Sequence, residues 1–258
     1  MYMYATNYKN EVINMENNID NKIIYGRNAV TEALGSDTEL DTVFVQRGIS
    51  LGKIVALAKQ RGIVIKEVND EKLASIAGTQ KHGGVAASLA VCSYATVEEI
   101  LAVSEEKGKP PFIIIADEIE DPHNLGAIIR TAEAAGADGV IIPKRRSASL
   151  NATVYKTSAG AAAWLKVARV SNLVDTIKLL KKNNIWVFGA EADGEPYDKA
   201  DLSGGVALVI GSEGFGLGRL VRENCDMILS LPMYGKINSL NASVSAGILM
   251  YEVVKHRS

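Results

Sequence analysis

Cysteine and histidine are scarce in this chain, and neither sign of charge dominates it. Two cysteines, Cys92 and Cys225, and three histidines, His82, His123 and His256, are spread over 258 residues without a CxxC or a Cys/His cluster. That argues against a disulfide framework, a zinc module and a Ser/His/Asp arrangement. The formal net charge is −2 and the pI about 6.0, so any basic surface for nucleic acid must be local. No apolar run approaches a membrane span, and the N-terminal MYMYATNYKNEVINMENNIDNK lacks the apolar core of a signal peptide. The expectation is a cytoplasmic protein without membrane or metal. What the chain has in quantity is apolar residues, 47% of the total against 22% charged, a globular composition able to bury a core.

Residues 1–21, rich in Asn, are expected to form a loosely ordered extension. From Ile23 helical and strand periods alternate. GRNAVTEAL reads as a helix, LDTVFVQR as a strand, SLGKIVALAKQRG as a helix ending at Gly62, IVIKEV as a strand, and NDEKLASIA as a helix capped by Asn69 or Asp70. VAASLAVCSY predicts an edge strand. These elements make a small α/β domain over 22–95, followed by a charged helical linker, 96–110, that ends in Pro110-Pro111.

The second domain is expected over 111–258. Its strands FIIIA, GVIIP, WLKVARV, IWVFGAE, VALVIG and DMILSLP are apolar without alternation, which predicts a parallel sheet covered on both faces. Helices are expected within LGAIIRTAEAAG, over 173–182, 217–223 and 241–256, so the fold class is α/β. In an open parallel sheet ligands bind beyond the carboxyl ends of the strands. The polar loops ADEIEDPHNLG, GAEADGEP, IGSEGFGLG and LPMYGKINSLN therefore share one rim.

Nucleotide templates fail on this rim. From Gly214 a GxGxxG pattern needs Gly where Arg219 stands, and from Gly211 a P-loop needs Lys where Leu217 stands. Read singly, the polar residues leave alternatives open. Asn124 reads as an N-cap, Arg130 as the partner of a carboxylate such as Glu133 or Glu213, and Glu213 as a solvated turn residue. Asp117, Glu118, Glu120 and Asp121 look like a metal-ligand run but lack a second cluster, which favours a solvated acidic loop. Lys144, Arg145, Arg146 and Lys156 make either an ordinary loop or phosphate contacts.

Taken together, DPHNLGAIIRTAEAAGADGVII, VALVIGSEGFGLGRLV and LSLPMYGKINSLNASVSAGI resemble the three ordered motifs of the SpoU/TrmH RNA 2′-O-methyltransferases, of the SPOUT class. IYGRNAVTEAL and TQKHGGVAA resemble the extra substrate-binding domain of the RlmB-like branch, which methylates a guanosine ribose in 23S ribosomal RNA. The resemblance covers the chain from about Lys22 onward. It implies a trefoil-knotted C-terminal domain, an L30e-like N-terminal RNA-binding domain, a homodimer, S-adenosylmethionine as methyl donor, and ribosomal RNA or a pre-ribosomal particle as partner. It carries Arg130 as catalytic arginine, with Asn124, Glu213, Ser239 and Asn241 around the reaction centre. It places the donor against Gly211, Leu231, Leu240, Ala190 and Ile210, and RNA against Arg27, Asn28, His82, Lys144, Arg145 and Arg146. Asn238 and Ala242 beside SLN, and Arg27-Asn28, depart modestly from the family pattern. A transfer RNA or other ribosomal RNA ribose target, or a non-catalytic RNA-binding assembly factor of the same fold, is the alternative the resemblance leaves.

Overall fold

The computed structural model describes residues 23–36, 38–90 and 92–257, so the expected N-terminal extension lies outside the described residues. The chain falls into two compact units that divide between Ser93 and Tyr94, with the short segment Ser149–Ala152 grouped with the first.

The first unit runs β1 (Ile23–Tyr25), α1 (Arg27–Gly35), β2 (Leu40–Gln46), α2 (Gly52–Gln60), β3 (Val64–Val68), α3 (Asp70–Ala77) and β4 (Val85–Leu89). Its sheet has the order β1-β4-β2-β3; β2 and β3 are parallel, and β4 is antiparallel to both neighbours. Asn69 caps α3 by accepting the Lys72 N–H at 2.9 Å, and Gly78 closes it in the left-handed region. The core is Val30, Leu34, Val43, Val45, Ile54 and Val85 with their neighbours. β4 is not the expected edge strand, because three-residue β1 covers its outer side. So short a segment carries too little periodicity to be read from sequence.

The second unit begins with α4 (Val97–Lys107), fixed at its start by a Thr96/Glu99 capping box and ended by left-handed Gly108. The segment expected as a linker thus carries a helix whose Val97 and Ile100 enter the core with Ile113, Ile115 and Val209. There follow β5 (Phe112–Ala116), α5 (Pro122–Ala134), β6 (Gly139–Pro143), α6 (Ala152–Thr157), β7 (Lys166–Val170), α7 (Leu173–Lys182), β8 (Ile185–Pro196), β9 (Gly205–Ile210), α8 (Arg219–Asn224), β10 (Met227–Ser230) and α9 (Ala242–His256). The six strands are all parallel in the order β10-β8-β9-β5-β6-β7, as their unbroken apolar runs predicted. All five residues of β5 are buried. α6 was not legible in SLNATVYKT, which read as loop.

The winding of this sheet reverses at β5. The chain moves outward through β6 and β7, then returns to build β8, β9 and β10 on the other side. Such a reversal opens a crevice beyond the strand ends, and the loops after β5 and β9 meet there.

Candidate functional site

The loop after β9 is the centre of the site. Ser212 and Gly216 exchange backbone hydrogen bonds at 3.1 and 2.9 Å, pinching Glu213, Gly214 and Phe215 into a projecting tip. Gly216 sits at φ 65°, and a Cβ on Gly211 would overlap the Gly216 backbone, so the turn needs glycine at both places. Two carboxylates hold its far side. Asp117, from the end of β5, accepts the Gly218 N–H at 2.8 Å, and Glu191, from β8, accepts the Leu217 N–H at 2.9 Å. Burial pushes the Asp117 carboxyl above its ordinary value; the Gly218 bond pulls it back, and the charge of Glu118 adds to the rise. Arg222 of α8 pairs with Glu191 and reaches Asp193 at 2.9 Å, tying α8 to β8.

This loop has a cavity on each side. Toward β8 and β10 lies one of about 410 Å³, within the range of small-molecule sites. Ala190, Ile210, Gly211, Leu231 and Leu240, the expected donor residues, all line it, as does Ser239. Its walls are apolar side chains and main chain, suited to a flat heterocycle, with Glu191 and Asp193 at the polar end. Toward β5 lies a second cavity of about 780 Å³, reached by Asn124, Arg146 and Phe215. Ser212 and Glu213 line both and so form the partition between them.

On that partition three side chains converge, Asn124 from the first turn of α5, Glu213 from the loop after β9 and Asn241 from the cap of α9. Asn241 Nδ2 donates to Asn124 Oδ1 at 2.9 Å and to Glu213; Asn124 Nδ2 donates to Glu213 Oε1 at 3.1 Å; and the Ala242 N–H reaches the same oxygen at 3.3 Å. Asn241 also caps α9, its Oδ1 accepting from Ser243 N at 3.0 Å and Val244 N at 3.3 Å. Asn124 is not the cap of α5. Asp121 takes that place by accepting the His123 N–H at 3.0 Å, Pro122 opens the helix, and Asn124 is free for the cluster.

Arg130 stands apart. Six residues on from Asn124, it lies about 240° round the helix axis, exposed, and pairs with none of the described residues, neither Glu133 nor Glu213. It does not line the cavity of its own chain. Within the acidic run after β5, Asp117 accepts from Gly218, Asp121 caps α5, and Glu118 pairs through one oxygen with Arg146 at 2.9 Å. Among the described residues no group of three His, Cys, Asp or Glu is placed to hold a metal, and no helix is long and apolar enough to cross a membrane.

In the first unit Arg27 Nε donates to Gly83 O at 2.9 Å, bringing the two expected motifs together, and Asn28 is exposed beside it. His82 is 3% exposed, and its Nδ1 accepts the Gly84 N–H at 3.2 Å. It shapes the KHGG turn from inside and has no surface to offer RNA. Lys144 is half-buried and Arg145 exposed. Glu191, Asp193 and Arg222 escaped the sequence reading, and Asp117, read there as part of a solvated loop, is instead buried on Gly218, because their partners lie far off in the chain. Two acids alternating along β8 beyond its apolar run were the available signal.

A parallel sheet reversing at β5, a cavity beyond its strand ends and this polar cluster are the arrangement of a ligand-binding α/β domain, in keeping with the SPOUT resemblance. Matches to family models agree: the SpoU rRNA Methylase family over residues 111–251, and the RNA 2′-O ribose methyltransferase substrate-binding domain over residues 23–94. The chain belongs to the SpoU/TrmH family of RNA ribose 2′-O-methyltransferases. It is 47% identical over 239 residues to Bacillus subtilis YacO, named for the TrmH family of tRNA/rRNA methyltransferases, covering 91% of this chain and 96% of that one. A TrmH family relative from Staphylococcus saprophyticus is 43% identical over 92% of this chain and 96% of its own. Among solved structures, the SpoU methyltransferase AviRb from Streptomyces viridochromogenes in complex with AdoMet shares the fold, with a TM-score of 0.59 at 23% identity over 91% of this chain and 90% of that one. The A. aeolicus TrmH/SpoU tRNA modifying enzyme matches 58% of this chain and 76% of its own at 26% identity and a TM-score of 0.52.

Proposed function

We propose that this chain transfers a methyl group from S-adenosylmethionine to the 2′-hydroxyl of a guanosine in 23S ribosomal RNA, working in the cytoplasm as a homodimer. The observation that carries the reading is the Asn124–Glu213–Asn241 cluster on the partition between two cavities. A donor on one side and an acceptor on the other would meet at this partition, which Ser212 and Glu213 form by lining both cavities. The relatives' names allow transfer RNA as well as ribosomal RNA. The substrate-binding domain over residues 23–94 favours a large ribosomal target, free or in a pre-ribosomal particle.

The smaller cavity fits the donor: Ile210, Leu231 and Leu240 would hold its flat base, and Gly211 and Ala190 leave main chain close to its edges. Bound there, S-adenosylmethionine supplies a methyl group on a sulfonium, whose departure leaves a neutral thioether. The chain's own work is alignment and removal of a proton, since a ribose hydroxyl is a weak nucleophile. Asn241 and Asn124 fix the Glu213 carboxylate, which holds the partition in one geometry. Ser239, exposed on the cavity wall, is placed to orient the hydroxyl. Arg130, an unpaired guanidinium, binds the phosphate beside the target and holds the hydroxyl in line, and that phosphate assists departure of the hydroxyl proton as the O–CH₃ bond forms and the S–CH₃ bond breaks. Arg27, Asn28, Lys144 and Arg145 take more distant phosphates.

The homodimer rests on α9. Val244, Ile248 and Tyr251 are 49%, 38% and 53% exposed, spaced along one face of an otherwise apolar helix. Gly247 of the same helix packs against Thr131, next to Arg130. A second copy docked on this face would bring Arg130 toward a cavity that its own chain's arginine does not line. Mapping ribose methylation on total RNA from cells with and without the gene tests the function. Loss of one guanosine mark in 23S RNA is expected, and loss of a transfer RNA mark instead would overturn the ribosomal assignment.

A further inference from the structure

The second cavity has its own chemistry. Four carboxylates, Glu118, Glu120, Asp121 and Glu213, reach it against two guanidiniums, Arg146 and Arg219. Both guanidiniums are already paired, Arg146 with Glu118 at 2.9 Å and Arg219 with Glu223 at 2.8 Å. Such a cavity repels phosphate and welcomes hydrogen-bond donors. Phe215, 92% exposed at the tip of the β9 loop, adds a flat apolar face at its edge. An aromatic platform beside acceptors is how proteins hold an unstacked base by its Watson–Crick edge.

Two of the four carboxylates are occupied. Asp121 caps α5, and Glu213 holds the amides of Asn124 and Asn241. Glu120 is exposed and unoriented. Glu118 differs. It is half-buried, Arg146 holds one carboxylate oxygen, and the other makes no hydrogen bond with the described residues. Its backbone lies at φ 55°, and Arg146 lies at φ 53°. Both members of this pair thus stand in the left-handed region, where glycine or asparagine would be less strained.

We propose that the second cavity receives the base of the acceptor nucleotide, and that Glu118, aimed by Arg146, selects guanine through its N1–H and N2–H. Guanine alone among the four bases presents two adjacent donors on this edge, a match for an acceptor-only carboxylate. A base seated there brings its ribose to the Ser212–Glu213 partition. Ser212 Oγ is buried there without a hydrogen-bond partner among the described residues, and the donor cavity begins on the other side. Arg146 is a positioning residue, and phosphates remain outside, with Arg130 and Arg145. The inference rests on the ribose methylation reading and names its base specificity.

The test uses the full protein, S-adenosylmethionine and synthetic RNA spanning the mapped target, with guanosine or inosine at the acceptor position. Inosine keeps N1–H and lacks the exocyclic amine. Wild type should prefer guanosine by roughly ten- to hundredfold in kcat/KM. Glu118→Gln should lose most of that preference, and Arg146→Ala should weaken it, while calorimetry shows unchanged S-adenosylmethionine affinity in both. Equal use of inosine and guanosine by wild type, or wild-type preference retained in Glu118→Gln, overturns the proposal. If wild type methylates the ribose of a different base, guanine selection falls and ribose methylation stands. If wild type binds S-adenosylmethionine yet methylates no RNA, both fall.

Discussion

Asn241 has two jobs, and Asn241→Asp keeps one while reversing the other. Its Oδ1 caps α9 through Ser243 N and Val244 N and accepts the Ser243 hydroxyl at 2.6 Å; its Nδ2 donates to Asn124 Oδ1 and to Glu213. The amide cannot be turned over, because its NH₂ would then face two backbone donors. Aspartate preserves the cap and adds a charge at a helix N-terminus, worth about 0.3–1 kcal/mol. On the other side it sets an oxygen against Glu213 and Asn124 where an N–H had been. Two carboxylates about 4 Å apart near a surface repel by roughly 1–4 kcal/mol, depending on how much water screens them. The cluster should therefore open while the helix holds.

Asn241→Ala is the complementary change. It removes the cap, at a cost of about 1 kcal/mol, which in a chain of this size lowers the melting temperature by about 2–4 °C. It introduces no repulsion. Thermal unfolding and methyl transfer to RNA should thus separate the two variants. The Asp variant is expected to melt near wild type with transfer reduced about tenfold or more, partly recovering in high salt as the repulsion is screened. The Ala variant should melt lower, and its transfer relative to wild type at the same salt should stay constant, so that the weakening of RNA contacts by salt cancels. Near-wild-type transfer by Asn241→Asp at low salt would mean that the Nδ2–Glu213 contact does not hold the partition.

Arg130→Lys should lower turnover at saturating RNA by about ten- to hundredfold, because an ammonium loses the planar fork that grips phosphate; near-normal turnover would remove Arg130 from alignment. The raised Asp117 carboxyl means that its ionised form is penalised in the fold. That group's contribution is fully present below the ordinary carboxylate value of 3.8 and is lost as pH rises through the raised one. Asp117→Asn can keep the Gly218 bond without the charge, so in denaturant titrations it should gain on wild type as pH rises from acid to neutral; a growing deficit would contradict this. Burial pushes the Cys225 thiol up to about 12. At pH 8 its thiolate fraction is then about 10³ lower than that of a thiol at 9.0, so a disulfide reagent should label it far more slowly than a free thiol, and labelling at the free-thiol rate would contradict the burial. Gly211→Ala would drive a methyl into the Gly216 backbone, a clash of about 1–3 kcal/mol that should displace the loop. S-adenosylmethionine affinity should fall by about tenfold or more with the fold intact, and unchanged affinity in calorimetry would show that the donor does not depend on this turn.

The strands of the second unit were legible because burial on both faces leaves unbroken apolar runs, and their shared direction put the four polar loops on one rim. The residues that the family resemblance assigns to the donor, Gly211, Leu231 and Leu240 among them, stand at the ends or in the loops of those strands and line one cavity. What periodicity could not give was pairing across the rim. Asn124 looks like a cap until Asp121 is seen to hold that place, and Glu213 looks like a turn residue until two amides are found on it. The partners of Glu213 lie 89 and 28 residues away. Nothing local marks such a contact, because each loop satisfies its own turn chemistry regardless of what it will meet. Arg130 shows the same limit from the other side: alone it reads as half of an ion pair, and only the fold reveals that neither expected carboxylate reaches it. An exposed guanidinium left unpaired near an exposed apolar helix face is free to meet a partner from outside the chain, as the proposed dimer requires. That makes the arginine and the α9 face a single expectation, since a variant that abolishes dimerization should also abolish what Arg130 contributes.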